Sequence, residues 1–262
     1  MFEPLNLFDL PPTLHLLLDP IEHISYPHQG DTSLVAFLEG AGGVAVLKRA
    51  SRPPFDAWLR REHAVLRALE ATALPVPRPL ALAEQDGAVW LLMSRLPGEP
   101  LRAVLEREQR TEARQALLRG FGATLAALHQ CPAPPALVAP PEGWLDATLQ
   151  QATEALQRYR VDGTPELLER LRRNPPAPVA PALIHGDCTL DNVLVDSGQI
   201  SGLIDWAGGA TGDPRYDLAL ATAPQDEAFQ TAGDLDAFYS GYGGPRLTAE
   251  EMQFFLGLYE FF

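Results

Sequence analysis

The chain has 262 residues, a formal charge of −14, 46% hydrophobic residues and 21% charged residues. That length and apolar content suffice for a sizeable core in one large domain or two lobes. The acidic balance argues against a nucleic-acid partner, whose phosphates need Lys and Arg to neutralise them, and the two cysteines, Cys131 and Cys188, supply neither a disulfide framework nor a Cys-based zinc site.

The first nineteen residues are acidic and interrupted by Pro4, Pro11 and Pro12, without the basic start of a signal peptide. The apolar run from Leu14 to Leu18 is too short to cross a bilayer. The expected location is the cytoplasm, with no membrane partner. Residues 21–26, 33–38 and 44–47 then read as three strands of an antiparallel meander, joined by a polar turn containing Gly30 and by the glycine-rich turn 40–43. Backbone N–H groups from Gly30 to Ser33 could face an anion, although most such turns only join strands. Lys48 closes the third strand and is followed by Arg49, so a P-loop spacing is absent.

Residues 55–71 carry apolar positions at helical spacing (Trp58, Leu59, Val65, Leu66 and Leu69), and Glu62 lies on or beside that face. A carboxylate buried there needs a partner. Lys48 is one candidate; Arg60, Arg61 and solvent are the others. Residues 76–82 and 88–93 suggest two more strands about an Asp86-Gly87 turn, and Pro97, Gly98 and Pro100 end this sheet region. The pattern then turns helical, with predicted helices at 101–107, 111–130, 145–159 and 165–173 and proline-rich connectors at 131–141 and 174–181.

The stretch from Leu183 to Trp206 organises the rest. It reads strand, polar loop, strand, a turn at 196–198 and strand, and it carries His185-Gly186-Asp187, Asn192 and Ile204-Asp205-Trp206. A carboxylate in a strand-flanked loop can take a proton from a hydroxyl. An amide oxygen and a second carboxylate are hard oxygen ligands that suit Mg²⁺. Asn192 lies five residues after Asp187, and Asp205 thirteen after Asn192; protein kinases place a catalytic Asp, an Asn and a metal-binding Asp in that order. Asp213-Pro214 then starts a helix, and helices at 235–242 and 248–262 close the chain, the second opened by a Thr248/Glu251 capping-box pattern.

This ordered set resembles the aminoglycoside phosphotransferase and choline-kinase-like family. The resemblance implies an α+β, two-lobed protein-kinase-like fold: residues 1–95 as an N-terminal nucleotide-binding lobe, a small antiparallel sheet with one helix, and residues 96–262 as a larger, mostly helical lobe carrying the catalytic and acceptor-binding groups. It implies ATP and Mg²⁺ as cofactors, with Asp187 as catalytic base and Asn192 and Asp205 on the metal. Lys48, braced by Glu62, would hold the α- and β-phosphates, Gly30 and Ser33 would belong to the loop over them, and backbone groups around Ser94 and Leu96 would recognise adenine. His185, Asp213 and Asp217 would brace or cap the loop.

The implied activity moves the γ-phosphate of Mg-ATP to a hydroxyl of a small acceptor, a cationic one included, in a monomer or homodimer. An aminoglycoside-type acceptor, a metabolic alcohol (choline, homoserine or a sugar-amine type) and a catalytically silent ATP-binding scaffold are the alternatives. Acidic residues Glu142, Asp146, Asp162, Asp226, Glu227, Asp234 and Asp236 are candidates for contacting a cationic acceptor, and none is assigned to it.

Overall fold

The computed structural model describes residues 9–18, 20–27, 32–40, 43–224 and 229–262. The chain divides into two units, Met1–Pro97 with Leu203–Ala207, and Gly98–Gly202 with Gly208–Phe262.

In the first unit a short helix α1 (Pro12–Leu18) precedes strands β1 (Ile21–Ser25), β2 (Leu34–Gly40) and β3 (Gly43–Ala50). Helix α2 (Phe55–Leu69) and strands β4 (Pro79–Gln85) and β5 (Ala88–Ser94) follow. The strands form one antiparallel sheet in the order β1-β2-β3-β5-β4. Leu34, Ala36 and Leu38 alternate into the core as a half-buried strand requires. They pack with Leu47, Trp90 and Leu92, and with Leu10 and Leu14 at the N-terminus. Helix α1 has no counterpart among the sequence-based elements; seven residues with two prolines at or before the start give little periodicity to read. The β4–β5 connection is two residues long, and Asp86 and Gly87 both have positive φ (51° and 75°), the mirror-image turn that matches strand twist. The strand expected from residue 76 begins at Pro79, because the Arg78 backbone is already engaged with the end of β5: its carbonyl accepts from Ser94 N–H and its N–H donates to Ser94 Oγ, each at 2.8 Å.

The second unit opens with a two-residue strand β6 (Glu99–Pro100). Helices α3 (Leu101–Arg107), α4 (Thr111–Gln130), α5 (Trp144–Arg158) and α6 (Pro165–Arg173) follow. Strands β7 (Ala182–Ile184), β8 (Val193–Asp196), β9 (Gln199–Leu203) and β10 (Ala210–Gly212) then lead to helices α7 (Pro214–Ala221), α8 (Ala232–Tyr242) and α9 (Ala249–Tyr259). Helix α4 buries Leu117, Leu118, Phe121, Leu125 and Leu128 and runs against α8. The approach is close enough that a methyl on Gly122 would lie 2.0 Å from the Phe238 carbonyl oxygen. A second core gathers Leu149, Leu168, Leu171, Ile184, Tyr216, Phe255, Leu258 and Phe261. Helix α8 starts three residues before the expected 235, because Thr231 and Asp234 close a capping box. Thr248 and Glu251 do the same for α9. Among the described residues no helix is long and apolar enough to cross a membrane.

Candidate active site

The first unit contains three of the sequence-predicted residues in direct contact. Lys48 sits near the end of β3, paired across the sheet with Val35 and Leu91, and Glu62 is on the buried face of α2. Both are almost fully buried. The Lys48 ammonium donates to Glu62 Oε1 at 2.8 Å and Oε2 at 2.9 Å, so Lys48 is the partner among those open to Glu62. Asp205 Oδ1 takes a further hydrogen bond from the same ammonium. Burial alone would depress the lysine, but the Asp205 and Glu62 charges outweigh it and hold its pKa above the usual value. Burial, followed by the effect of Asp205, pushes Glu62 up, against the pull of Lys48.

Asp205 reaches this cluster because the segment that carries it is pinned at both ends. Leu203 N–H donates to Pro75 O at 3.0 Å. The Trp206 indole is fully buried and donates to Leu203 O at 2.9 Å. Asp205 itself is left-handed (φ 65°), a conformation Asp tolerates better than most residues and one that clusters at functional sites.

The second unit holds the Asp187 loop. Strand β7 pairs antiparallel with β10 and delivers the chain to His185, Gly186 and Asp187. Gly186 has φ 82°, and a methyl there would lie 2.3 Å from Gly208 O; only glycine allows this turn. The fully buried Asp217 of α7 accepts from His185 N–H at 2.7 Å and Gly186 N–H at 2.8 Å. His129 Nε2 meets the same carboxylate at 3.1 Å, and its Nδ1 lies 2.9 Å from the Tyr242 hydroxyl. A carboxylate only accepts, so Nε2 carries the proton, and in the neutral ring Nδ1 accepts from Tyr242. Burial and then the Asp217 charge push the Tyr242 pKa up to about 12, which keeps that phenol a donor.

Within the loop, Asp187 N–H donates to His185 Nδ1 at 3.2 Å. Asn192 turns its amide nitrogen to Asp187, donating to the backbone oxygen at 2.8 Å and to Oδ2 at 2.7 Å. Arg102 brackets the neighbouring Asp191 through Nε at 2.9 Å from each carboxylate oxygen. The Tyr259 hydroxyl donates to Asp187 Oδ1 at 2.7 Å. Tyr259 was not among the sequence candidates; Phe255 and Tyr259 at i,i+4 signal only a common helix face.

The remaining candidates are placed as follows. Ser33 is buried just before β2; Gly30 lies outside the described residues. Ser94 ends β5 with its N–H and hydroxyl engaged by Arg78, and Leu96 beyond it is half-buried. Asp213 caps α7 by accepting from Arg215 N–H at 2.9 Å. Of the acidic residues considered for the acceptor, Asp234 is buried in its capping box, and Asp226 and Glu227 lie outside the described residues.

A buried lysine–glutamate pair on an antiparallel sheet in the first unit, and carboxylates held by fixed donors in the second, are the parts that a phosphotransferase of protein-kinase-like fold uses. The sequence profile described as "Phosphotransferase enzyme family" matches residues 24–254, and the chain belongs to that family. An aminoglycoside 3′-phosphotransferase of Streptomyces fradiae is 29% identical over 211 residues, 74% of this chain and 76% of the relative. A homoserine kinase of Neisseria meningitidis serogroup B is 44% identical over 79 residues, 28% of this chain and 25% of that protein. The crystal structure of an aminoglycoside-3′-phosphotransferase of type VIII superposes with a TM-score of 0.75 at 26% identity, covering 92% of this chain and 93% of that one. The chain is an ATP-dependent phosphotransferase whose acceptor is a hydroxyl group of a small molecule.

Proposed function

We propose that the acceptor is an aminoglycoside or a closely similar polycationic amino sugar and that Asp187 receives the proton of its hydroxyl. The observation that carries the reading is the Asp187 loop: a carboxylate fixed by neutral donors, on a backbone held by Asp217. The two aminoglycoside phosphotransferases span most of this chain, and the net charge of −14 suits a cationic acceptor.

In this reading Lys48, aimed by Glu62, orients the α- and β-phosphates of ATP. Ser33, with Gly30, belongs to the loop over them, and backbone groups at Ser94 and Leu96 receive the adenine. Asn192 offers its amide oxygen, and Asp205 its part-exposed carboxylate, to Mg²⁺. Among the described residues no group of three or more His, Cys, Asp or Glu is placed to hold a metal ion. One or two protein oxygens together with phosphates are what Mg²⁺ ordinarily takes. When bound, the ion neutralises charge on the phosphates. Asp187 orients the acceptor hydroxyl and accepts its proton as the phosphoryl group is transferred. The reaction takes place in the cytoplasm.

The short, high-identity match to a homoserine kinase favours a second reading, a metabolic alcohol kinase. Mg²⁺-dependent ADP release with kanamycin, neomycin, choline and homoserine as acceptors separates the two. An aminoglycoside should raise turnover by orders of magnitude, and Asp187→Asn should cut it by about 10²–10⁴-fold with ATP affinity nearly intact. Stimulation by homoserine alone would replace the acceptor. Native turnover in Asp187→Asn would remove that residue's role.

A further inference from the structure

Tyr259, the last residue of α9, donates to Asp187 Oδ1 across 72 residues of chain, while Oδ2 takes the Asn192 amide. Both oxygens of the carboxylate are therefore gripped, one from within its own loop and one from the C-terminal helix. The helix grip has a firm base. Phe254, Phe255 and Leu258 are buried, Glu260 O accepts from Gly163 N–H at 2.8 Å, and the buried Phe261 lies against Gly163. The Tyr259 ring also lies 6.4 Å from that of Tyr216, itself in the core. Burial, and then the Asp187 charge, pushes the Tyr259 phenol well above its usual pKa, so its hydroxyl remains a donor.

We propose that Tyr259 is a positioning residue that fixes the rotation of the Asp187 carboxylate toward the acceptor hydroxyl. The proposal rests on the reading of Asp187 as the group that receives the acceptor's proton. A carboxylate anchored at one oxygen still has a broad torsion about its last bond. Misplacement of a reacting group by a fraction of its contact distance costs large factors in rate. The second anchor removes that freedom. It does not block the oxygen, because a carboxylate oxygen has a further lone pair for the acceptor.

Tyr259→Phe keeps the ring and deletes the donor. With ADP release from Mg-ATP followed for kanamycin and for water alone as acceptor, kcat should fall roughly tenfold. The KM for ATP and the melting temperature should stay close to native. Incorporation of 3-fluorotyrosine at position 259, which retains the donor, should restore kcat. A readout free of turnover accompanies this: the ¹⁹F resonance of that residue should move when Asp187→Asn is added. Native kcat in Tyr259→Phe, or an unmoved ¹⁹F resonance, would overturn the proposal. A fall in kcat that comes with an equal change in ATP KM and a lowered melting temperature would assign the contact to packing and also overturn it. Native turnover in Asp187→Asn would instead sink the parent reading, which no result with Tyr259→Phe can do.

Discussion

The Lys48 cluster of the first unit and the Asp187 loop of the second handle buried charge in opposite ways. Around Lys48, charge answers charge: one ammonium serves two carboxylates, Glu62 and Asp205. Around Asp187, carboxylates are held by backbone and uncharged side-chain donors: Asp217 by two backbone N–H groups, with His129 against it, and Asp187 by a phenol and an amide. The first arrangement depends on every member being present, since removing one ion leaves the other buried and uncompensated. The second fixes geometry without a counter-ion, which suits the role proposed for Asp187. In the proposed reading, the site for polyphosphate and the site for proton transfer thus differ in their surroundings, although both are built around Asp.

The comparison is broken most severely at Lys48. Lys48→Met leaves Glu62 buried beside Asp205 with no cation between them, and should destabilise the protein by about 3–5 kcal/mol. Urea denaturation measures this. The double variant Lys48→Met, Glu62→Leu should recover most of the loss in stability and none of the activity. Equal destabilisation in single and double variants would mean that side-chain packing, and not the unpaired carboxylate, sets the cost.

A smaller effect is expected at Asp217. Asp217→Asn keeps the shape but replaces one accepting oxygen by a donor that faces an N–H of the His185-Gly186 turn. One buried donor is left unsatisfied, at about 1–3 kcal/mol, and the loop bearing Asp187 loses its register. Turnover should fall while ATP affinity, measured by calorimetry, holds near native, because Lys48 and Glu62 are untouched. An equal loss of ATP affinity would mean that the loop and the Lys48 cluster depend on each other more than their separate bonding suggests.

Much of this was legible in the sequence because local chemistry carried it. The Asp86-Gly87 and Ser197-Gly198 turns, the Thr248 cap and the apolar face of α2 each announce themselves within a few residues. Glu62 was legible for a different reason: an acidic residue on an apolar face demands a partner, and a lysine ending a nearby strand was available. Tyr259 was not legible, because a tyrosine at helical spacing among Phe254, Phe255 and Leu258 reads as core, and the carboxylate it meets is 72 residues away. The His129–Tyr242 contact spans 113 residues and escaped for the same reason. Capping by Asp234 at the N3 position of α8 was missed because the expected pattern there was Glu or Gln. Side chains that bond across the chain leave no periodic trace.

Glu251 joins both modes of pairing, and sharpens the comparison with the smallest effect. It accepts from the Thr248 backbone N–H at 2.9 Å, and its other oxygen takes Arg215 at 2.7 Å. The Thr248 N–H is the larger influence holding its carboxyl below the ordinary glutamate value, with Arg215 adding to it. A folded-state pKa below the unfolded one means that the ionised form stabilises the fold above about pH 4.5. That stabilisation is lost as pH falls from there through the lower folded value. Glu251→Gln keeps an oxygen for the Thr248 cap but abolishes the charge, so it should cost about 1 kcal/mol or less near neutral pH. Its cost should shrink toward zero in acid, where the native carboxyl is protonated as well. Thermal melts of the two proteins from pH 7 down to pH 3 should therefore converge. If they stay parallel, the neutral cap and not the charge supplies the stabilisation, and α9 would be started by the same kind of contact that holds the Asp187 loop.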